Sequence, residues 1–213
     1  MPHSPATPGH QGFRHGDLAS GQVVVGDAGP NKPRPSICSP AHQIAVVTTD
    51  GDYAAFGGLI REYWEWLHAR YADLPGFIDA VGGHQALDAE LNALRETYGP
   101  AAGKVFLAMR GGQVAGGIAY RDLGDSSCEM KRLFVPDRSQ GRGTGRLLCQ
   151  ALLDAASADG YKVMRLDTGY QNAEALRMYE SLGFRECLPY HEYPADLMTH
   201  LRFMEKPLVD ETT

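Results

Sequence analysis

The chain has 213 residues, which is room for one domain plus a tail. Hydrophobic residues make up 43% and charged residues 22%, so an ordinary core can form. The formal charge of −6 argues against a general binder of nucleic acid or of anionic membrane, both of which call for a basic excess.

Residues 1 to 42 hold seven of the 13 Pro and six of the 25 Gly, with Phe13 as their only Phe, Trp or Tyr. Such a stretch buries too little apolar surface to offset the entropy of ordering, so it reads as a disordered Pro/Gly-rich tail. Met1 to His10 shows no basic segment followed by an apolar one, and no run reaches about 18 apolar residues. Neither a signal peptide nor a membrane span is expected, and the expected setting is cytoplasmic. A folded domain is predicted over 43–208.

Gln43 to Thr48 alternates and is rich in β-branched residues, which predicts a strand. Asp50 or Asp52 can cap the next helix. Phe56, Leu59, Ile60, Tyr63, Trp64 and Leu67 recur at helical spacing as far as about Tyr71. Pro75-Gly76 marks a turn. A second helix is predicted from about His84 to Thr97, ended by Gly99-Pro100.

The period then changes to two. Lys104 to Arg110 and Gln113 to Arg121 predict strands joined at Gly111-Gly112, and Ser127 to Val135 predicts a third. A glycine-rich turn follows, Gln140 to Gly145, then a helix to about Asp159. Tyr161 to Leu166 reads as a buried strand, Asn172 to Ser181 as a short helix, and 184–191 and 199–207 as two last strands. The order β-α-α-β-β-β-α-β-α-β-β describes a single mixed-sheet α/β domain.

The glycine turn carries the first chemical signal. Gly141, Gly143 and Gly145 let the backbone curl close to a ligand, and the helix start aims free N–H groups at the same place. That makes an anion site suited to phosphate. Arg138, Arg142 and Arg146 add positive charge around it. A dinucleotide fingerprint needs glycine or alanine where Arg146 stands, and a P-loop needs Lys-Ser/Thr where Arg146-Leu147 stands, so both fail. The remaining pattern is Gln/Arg-x-x-Gly-x-Gly/Ala, matched by Gln140, Gly143 and Gly145.

With that pattern the chain resembles the GNAT superfamily of acyl-CoA-dependent N-acetyltransferases, from about Gln43 to Leu208 and most sharply over Cys128 to Phe184. The resemblance implies a GNAT-like fold, acetyl-CoA as cosubstrate and no metal. It implies that Gln140, Gly141, Arg142, Gly143, Thr144, Gly145 and Arg146 hold the pyrophosphate of coenzyme A. It implies that Leu133, Phe134 and Val135 border the pantetheine arm, and that a backbone N–H among them polarises the thioester oxygen. A second block, Asn172 to Phe184, matches the family's C-terminal signature. It implies Asn172 on the cofactor arm and Tyr179 as the acid that protonates the leaving thiolate.

Asn172 and Tyr179 are two helical turns apart and share a face. A phenol of pKa about 10 can protonate a thiolate whose thiol has a pKa of about 8.5; the alternative is that Tyr179 only packs its helix onto the sheet. The acceptor amine must lose a proton before it attacks. Glu129 is the first candidate for that base, and the equal alternative is a simple pair with Lys131 on the same strand face. Asp167 and His191 are weaker candidates. Cys38, Cys128, Cys149 and Cys187 have no paired spacing, which reads as reduced thiols without a disulfide or zinc role; Cys128 and Cys149 are not expected to act as nucleophiles.

The expected reaction is transfer from acetyl-CoA to an amine of a small molecule, an amino acid or a peptide. The alternatives are a catalytically silent CoA-binding sensor and a protein acetyltransferase. The resemblance implies an acceptor side framed by the first two helices and the last hairpin, which here carry aromatic residues, among them Tyr190 and Tyr193 with His191. Tyr63 and Trp64 read as core there, and Trp66, off the apolar stripe, as the better acceptor contact. No nucleic-acid or membrane partner is expected, and the resemblance allows a homodimer.

Overall fold

The computed structural model describes residues 42–82 and 84–209, with the side chains of 84–86 outside the description. The predicted tail therefore lies almost wholly outside the described residues. Strand β1 (Gln43–Val46) leads into helix α1 (Asp50–Arg70). Thr49, rather than Asp50 or Asp52, caps α1: its hydroxyl accepts the Asp52 N–H, while the Asp52 carboxylate accepts the Thr49 N–H in return. This reciprocal pair meets two of the N–H groups that a helix start leaves free.

A short helix α2 (Phe77–Gly82) precedes the segment predicted as one helix over His84–Thr97, which is itself broken in two, α3 (His84–Asn92) and α4 (Leu94–Tyr98). The hairpin β2 (Gly103–Arg110) and β3 (Gln113–Gly124) follows, then β4 (Ser127–Phe134). Helix α5 (Thr144–Ala158), strand β5 (Val163–Gly169) and helix α6 (Ala173–Ser181) come next. The chain then forms the two-residue strand β6 (Arg185–Glu186), helix α7 (Ala195–Met198) and strand β7 (Leu201–Pro207). The predicted strand over 184–191 thus shrinks to β6, because the chain peels away to bring Tyr190, His191 and Tyr193 over the sheet.

The strands form one seven-stranded sheet in the order β1-β2-β3-β4-β5-β7-β6. Period-two alternation along β2 and β3 gives each face its own core. Val105, Leu107 and Ala119 meet Phe56, Leu59 and Ile60 of α1 on one face. Phe106, Ala108 and Ile118 meet Leu148 and Leu152 of α5 on the other. Each such fully buried Val, Leu, Ile or Phe side chain contributes roughly 1.5–3 kcal/mol of transfer free energy.

Two departures from regular pairing shape the functional region. The parallel pair β4–β5 runs only from Ser127–Val163 to Glu129–Arg165; beyond it β4 stays with β3 and β5 stays with β7. The sheet therefore splits between β4 and β5. Ala119 faces Lys131 and Gly117 faces Phe134, so three steps on β4 oppose two on β3. This is a bulge, and Arg132 within it has φ +57°. Alternation fails there, and consecutive residues Lys131, Arg132 and Leu133 all reach the split.

Candidate active site

Two compartments open where β4 and β5 part. The outer one is a groove of about 560 Å³ between the start of α5 and α6, inside the size range of small-molecule sites. The inner one, about 130 Å³, runs under α1 and α2. Tyr63, Leu133, Thr168, Asn172 and Tyr179 border both, so they mark the junction.

The groove's distal end is the start of α5. Its cap position, Gly143, has φ +77° and no side-chain capping bond. The N–H groups of the first turn thus have no helical acceptor and remain for an anion. Gly141 is also left-handed, at φ +73°. Gln140 stabilises this turn from within, donating its side-chain amide to Val135 O (3.1 Å) and Asp137 Oδ1 (2.8 Å). The three expected cations divide their roles. Arg138 forms a forked pair with Glu62, at 2.6 and 3.0 Å, and Arg146 donates to Ser181 Oγ (2.7 Å) at the groove edge. Arg142 is exposed and lies outside the groove wall. The remaining ten residues assigned to the cofactor all border the groove.

Asn172 stands at the junction, 6% exposed. It caps α6 without a side-chain capping bond; its amide NH₂ instead donates to Thr168 Oγ1 (3.1 Å). Its Oδ1 is buried and has no hydrogen-bond partner. An orphaned buried acceptor at the throat fits a ligand that donates an N–H there, as an amide-containing arm would. A bare helix terminus at one end and this acceptor at the other suit an acyl-CoA lying along the groove.

Tyr179 is buried as well, its ring edge-on to Phe184 at 5.8 Å. Its hydroxyl has no protein hydrogen bond among the described residues. Burial first, then the neighbouring Cys149, Tyr63 and Asp167, push its pKa well above that of an ordinary phenol. The hydroxyl therefore stays protonated.

Glu129 is fully buried but borders neither compartment. Its Oε2 accepts from Arg121 Nε (2.7 Å). Its Oε1 accepts from Tyr190 Oη (3.1 Å) and Lys131 Nζ (3.4 Å) and lies 2.8 Å from His191 Nε2. The pairing alternative thus describes its place, with three further partners. Asp167 and Lys131 line the chamber wall together with Arg132; the first two are joined at 3.0 Å, and Tyr193 Oη donates to Asp167 at 3.3 Å. Burial alone would raise Asp167, but the Lys131 charge and hydrogen bond outweigh it and hold the carboxyl below the usual range. Asp167 lies within β5, which runs on to Gly169 instead of ending at Leu166.

Trp64 is buried in the core, as expected, and shares that role with the chamber wall. Trp66, the expected acceptor contact, borders the outer groove instead of the inner chamber. The core stripe of α1 is also the chamber wall, so periodicity does not separate the two uses. Burial pushes the thiols of Cys128 and Cys149 up to about 12, which leaves them protonated. Among the described residues no His, Cys, Asp and Glu cluster could hold a metal, and no helix is long and apolar enough to cross a membrane.

The model of the acetyltransferase (GNAT) family matches residues 60–184. An uncharacterized N-acetyltransferase of Schizosaccharomyces pombe is 34% identical over 120 residues, covering 55% of this chain and 74% of its own. The IAA acetyltransferase of Azospirillum brasilense is 34% identical over 106 residues, 49% of this chain and 68% of its own. In fold, the chain matches yncA of Salmonella typhimurium, solved with its cofactor acetyl-CoA. The TM-score is 0.60 at 23% identity, over 81% of this chain and 97% of that one.

Proposed function

The chain belongs to the acetyltransferase (GNAT) family and is an acyl-CoA-dependent N-acetyltransferase, and we propose that it moves an acetyl group from acetyl-CoA to the amine of a small molecule, an amino acid or a peptide. The carrying observation is the junction: Asn172, whose Oδ1 is an orphaned acceptor, and Tyr179 both border the groove and the chamber that Asp167 lines.

In this reading the first-turn N–H groups of α5 hold the pyrophosphate, and Asn172 Oδ1 accepts an N–H of the pantetheine arm. Arg132 and Leu133 lie in the bulge, outside the strand pairing on either side, so a backbone N–H there is free to polarise the thioester oxygen. Asp167 accepts a hydrogen bond from the incoming amine and turns its lone pair towards the carbonyl carbon. Held below the ordinary carboxylate range, it does not retain the proton; the ammonium's proton goes to solvent.

The N–C bond forms and the C–S bond breaks. Tyr179 gives its proton to the sulfur and regains the one that the nitrogen sheds. Glu129 is a positioning residue in this scheme: it fixes Lys131, and through it Asp167. No cysteine adduct is required.

The test is a screen of amines with acetyl-CoA and free-thiol detection. Amine-dependent thiol release supports transfer. CoA binding without release under any amine supports a silent sensor instead.

A further inference from the structure

Among the described residues, three that are not glycine have a left-handed backbone: Asp125, Ser126 and Arg132. Asp125 and Ser126 are the two loop residues between β3 and β4, with φ +52° and +60°, as a two-residue hairpin turn of the primed kind requires. Arg132, at φ +57°, stands inside β4 instead. A residue with a side chain is disfavoured in that conformation by a factor of roughly 5–30, so its surroundings must hold it there.

The sheet does not supply that hold. Ala119 pairs with Lys131 and Gly117 with Phe134, so Arg132 has no partner on β3, and pairing with β5 ends at Glu129. The side chain supplies it. Arg132 Nε donates to Glu90 Oε1 at 2.8 Å and its Nη2 donates to Glu90 Oε2, a fork that fixes both the place and the angle of the guanidinium. Tyr98 Oη donates to Glu90 Oε1 in turn, and Tyr98 is itself buried, with its ring edge-on to Phe56 at 6.2 Å. Trp64 closes another side, the guanidinium carbon lying 5.5 Å from the centre of its ring. The side chains of Arg132 and Glu90 are only 20% and 11% exposed. Helices α3 and α4 thus grip the bulge of β4 through one arginine.

What this grip controls is the aim of a peptide. The φ of Arg132 sets the angle between the two peptides that flank it. A swing from +57° to the strand value of about −120° turns one of them over relative to the other, so that its N–H and its carbonyl exchange directions. In the scheme above an N–H of this bulge polarises the thioester oxygen. A carbonyl oxygen in its place would repel the negative charge that builds there. Arg132 borders the inner chamber and Leu133 borders both compartments, so the turn falls where that charge develops in this scheme. Glu90 borders neither compartment and acts through Arg132.

We infer that Glu90 is a positioning residue for acetyl transfer: through its fork on Arg132 it holds the bulge in its left-handed turn and keeps the polarising N–H aimed at the thioester oxygen. This rests on the acetyl-transfer reading and adds to it a residue of α3, 39 residues before the nearer of the two sequence blocks that point to the coenzyme when counted from Glu90 to Glu129.

The test binds acetyl-CoA, labelled with carbon-13 at its thioester carbonyl, to the full chain and reads the carbonyl band by isotope-edited infrared spectroscopy. No acceptor amine is needed. A hydrogen bond to the oxygen lowers the frequency, so wild type is expected to show one band below that of free acetyl-CoA. Glu90→Gln keeps the size of the side chain but loses its charge and one arm of the fork, and a second band at the free frequency should appear. Two double variants give the sharper comparison: Glu90→Ala with Arg132→Ala, and Glu90→Ala with Arg132→Gly. Both remove the pair without leaving a lone buried charge, and they differ by one methyl group. In the alanine double the lowered band should fall below about a fifth of its wild-type intensity. In the glycine double, where a left-handed φ carries no penalty, about half or more should remain. CoA itself should bind all three variants as it binds wild type. A pair that only stabilises the fold gives the wild-type band in every variant, and a guanidinium that contacts the carbonyl directly gives equal loss in both doubles; either result overturns the inference. If the doubles do not fold, Glu90→Gln decides: a second band supports the inference and a single wild-type band overturns it. A wild-type band at the free frequency removes the polarising N–H and the inference with it, whereas absence of CoA binding overturns the acetyl-transfer reading itself.

Discussion

Asn172 donates its side-chain amide to Thr168 Oγ1 at 3.1 Å, and this single bond turns Oδ1 into a buried acceptor with no partner at the junction of two compartments. The helix that Asn172 starts gains no capping bond from it. Asn172→Ala should therefore cost the fold little, because it also removes a desolvated, unpaired oxygen. Calorimetry should show CoA affinity falling about three- to tenfold, the worth of one net hydrogen bond. Unaltered affinity would remove Asn172 from the cosubstrate arm.

Gly143 and Gly145 should respond differently to the same change. Gly143 has φ +77°, and a Cβ there meets nothing within 4 Å, so Gly143→Ala carries backbone strain alone. That strain is about 1–2 kcal/mol, a drop of roughly 2–8 °C in Tm for a chain of this size, with weaker CoA binding. Gly145 is helical, and its added Cβ would make only ordinary contacts with Met178 and Val135 at 3.7 and 3.8 Å. Gly145→Ala should keep its Tm. Thermal melts of the two variants side by side check this.

Tyr179→Phe should lower kcat by at least about tenfold while CoA affinity changes less than about twofold, as expected for the loss of a proton donor. Because burial raises the Tyr179 pKa well above 10, the wild-type rate should not decline from loss of its proton as pH rises from 7 to 10. Stopped and continuous thiol assays across that range measure both.

Stability in acid should depend on Glu90. Burial alone would raise its pKa, but the hydrogen bond and charge of Arg132 overcome this and hold it below 4.5. A depressed carboxylate stabilises the fold above its unfolded pKa, and that contribution is lost as pH falls through the folded value. Wild type should therefore lose stability progressively below about pH 4.5. Glu90→Gln should be less stable at pH 7, and its stability should fall less steeply below pH 4.5. Urea melts at stepped pH values give both slopes.

Legibility followed locality. The glycine turn, Asn172 and Tyr179 could be read because each signal sits within a few residues on one element, and turn and helix spacing are strong local patterns. The bulge at Arg132 could not: an eight-residue strand with one extra residue shows no change of period, and only the pairing with β3 reveals it. From sequence, Glu129 is a candidate base because its strand is next to the turn, and equally a partner of Lys131. Its actual partners include Tyr190 and His191, 61 and 62 residues away, and no local pattern carries that distance. The core position of Trp64 is legible and its place on the chamber wall is not, because the same apolar face of α1 both packs and lines the chamber.

The central claim is that the groove ending at the bare start of α5 holds the coenzyme. Isothermal titration of CoA into the full chain tests it most directly. One site per chain with a micromolar to millimolar Kd, weakened in Asn172→Ala, is the predicted result. No saturable binding heat at any CoA concentration up to several millimolar, with a folded protein in the cell, would contradict it.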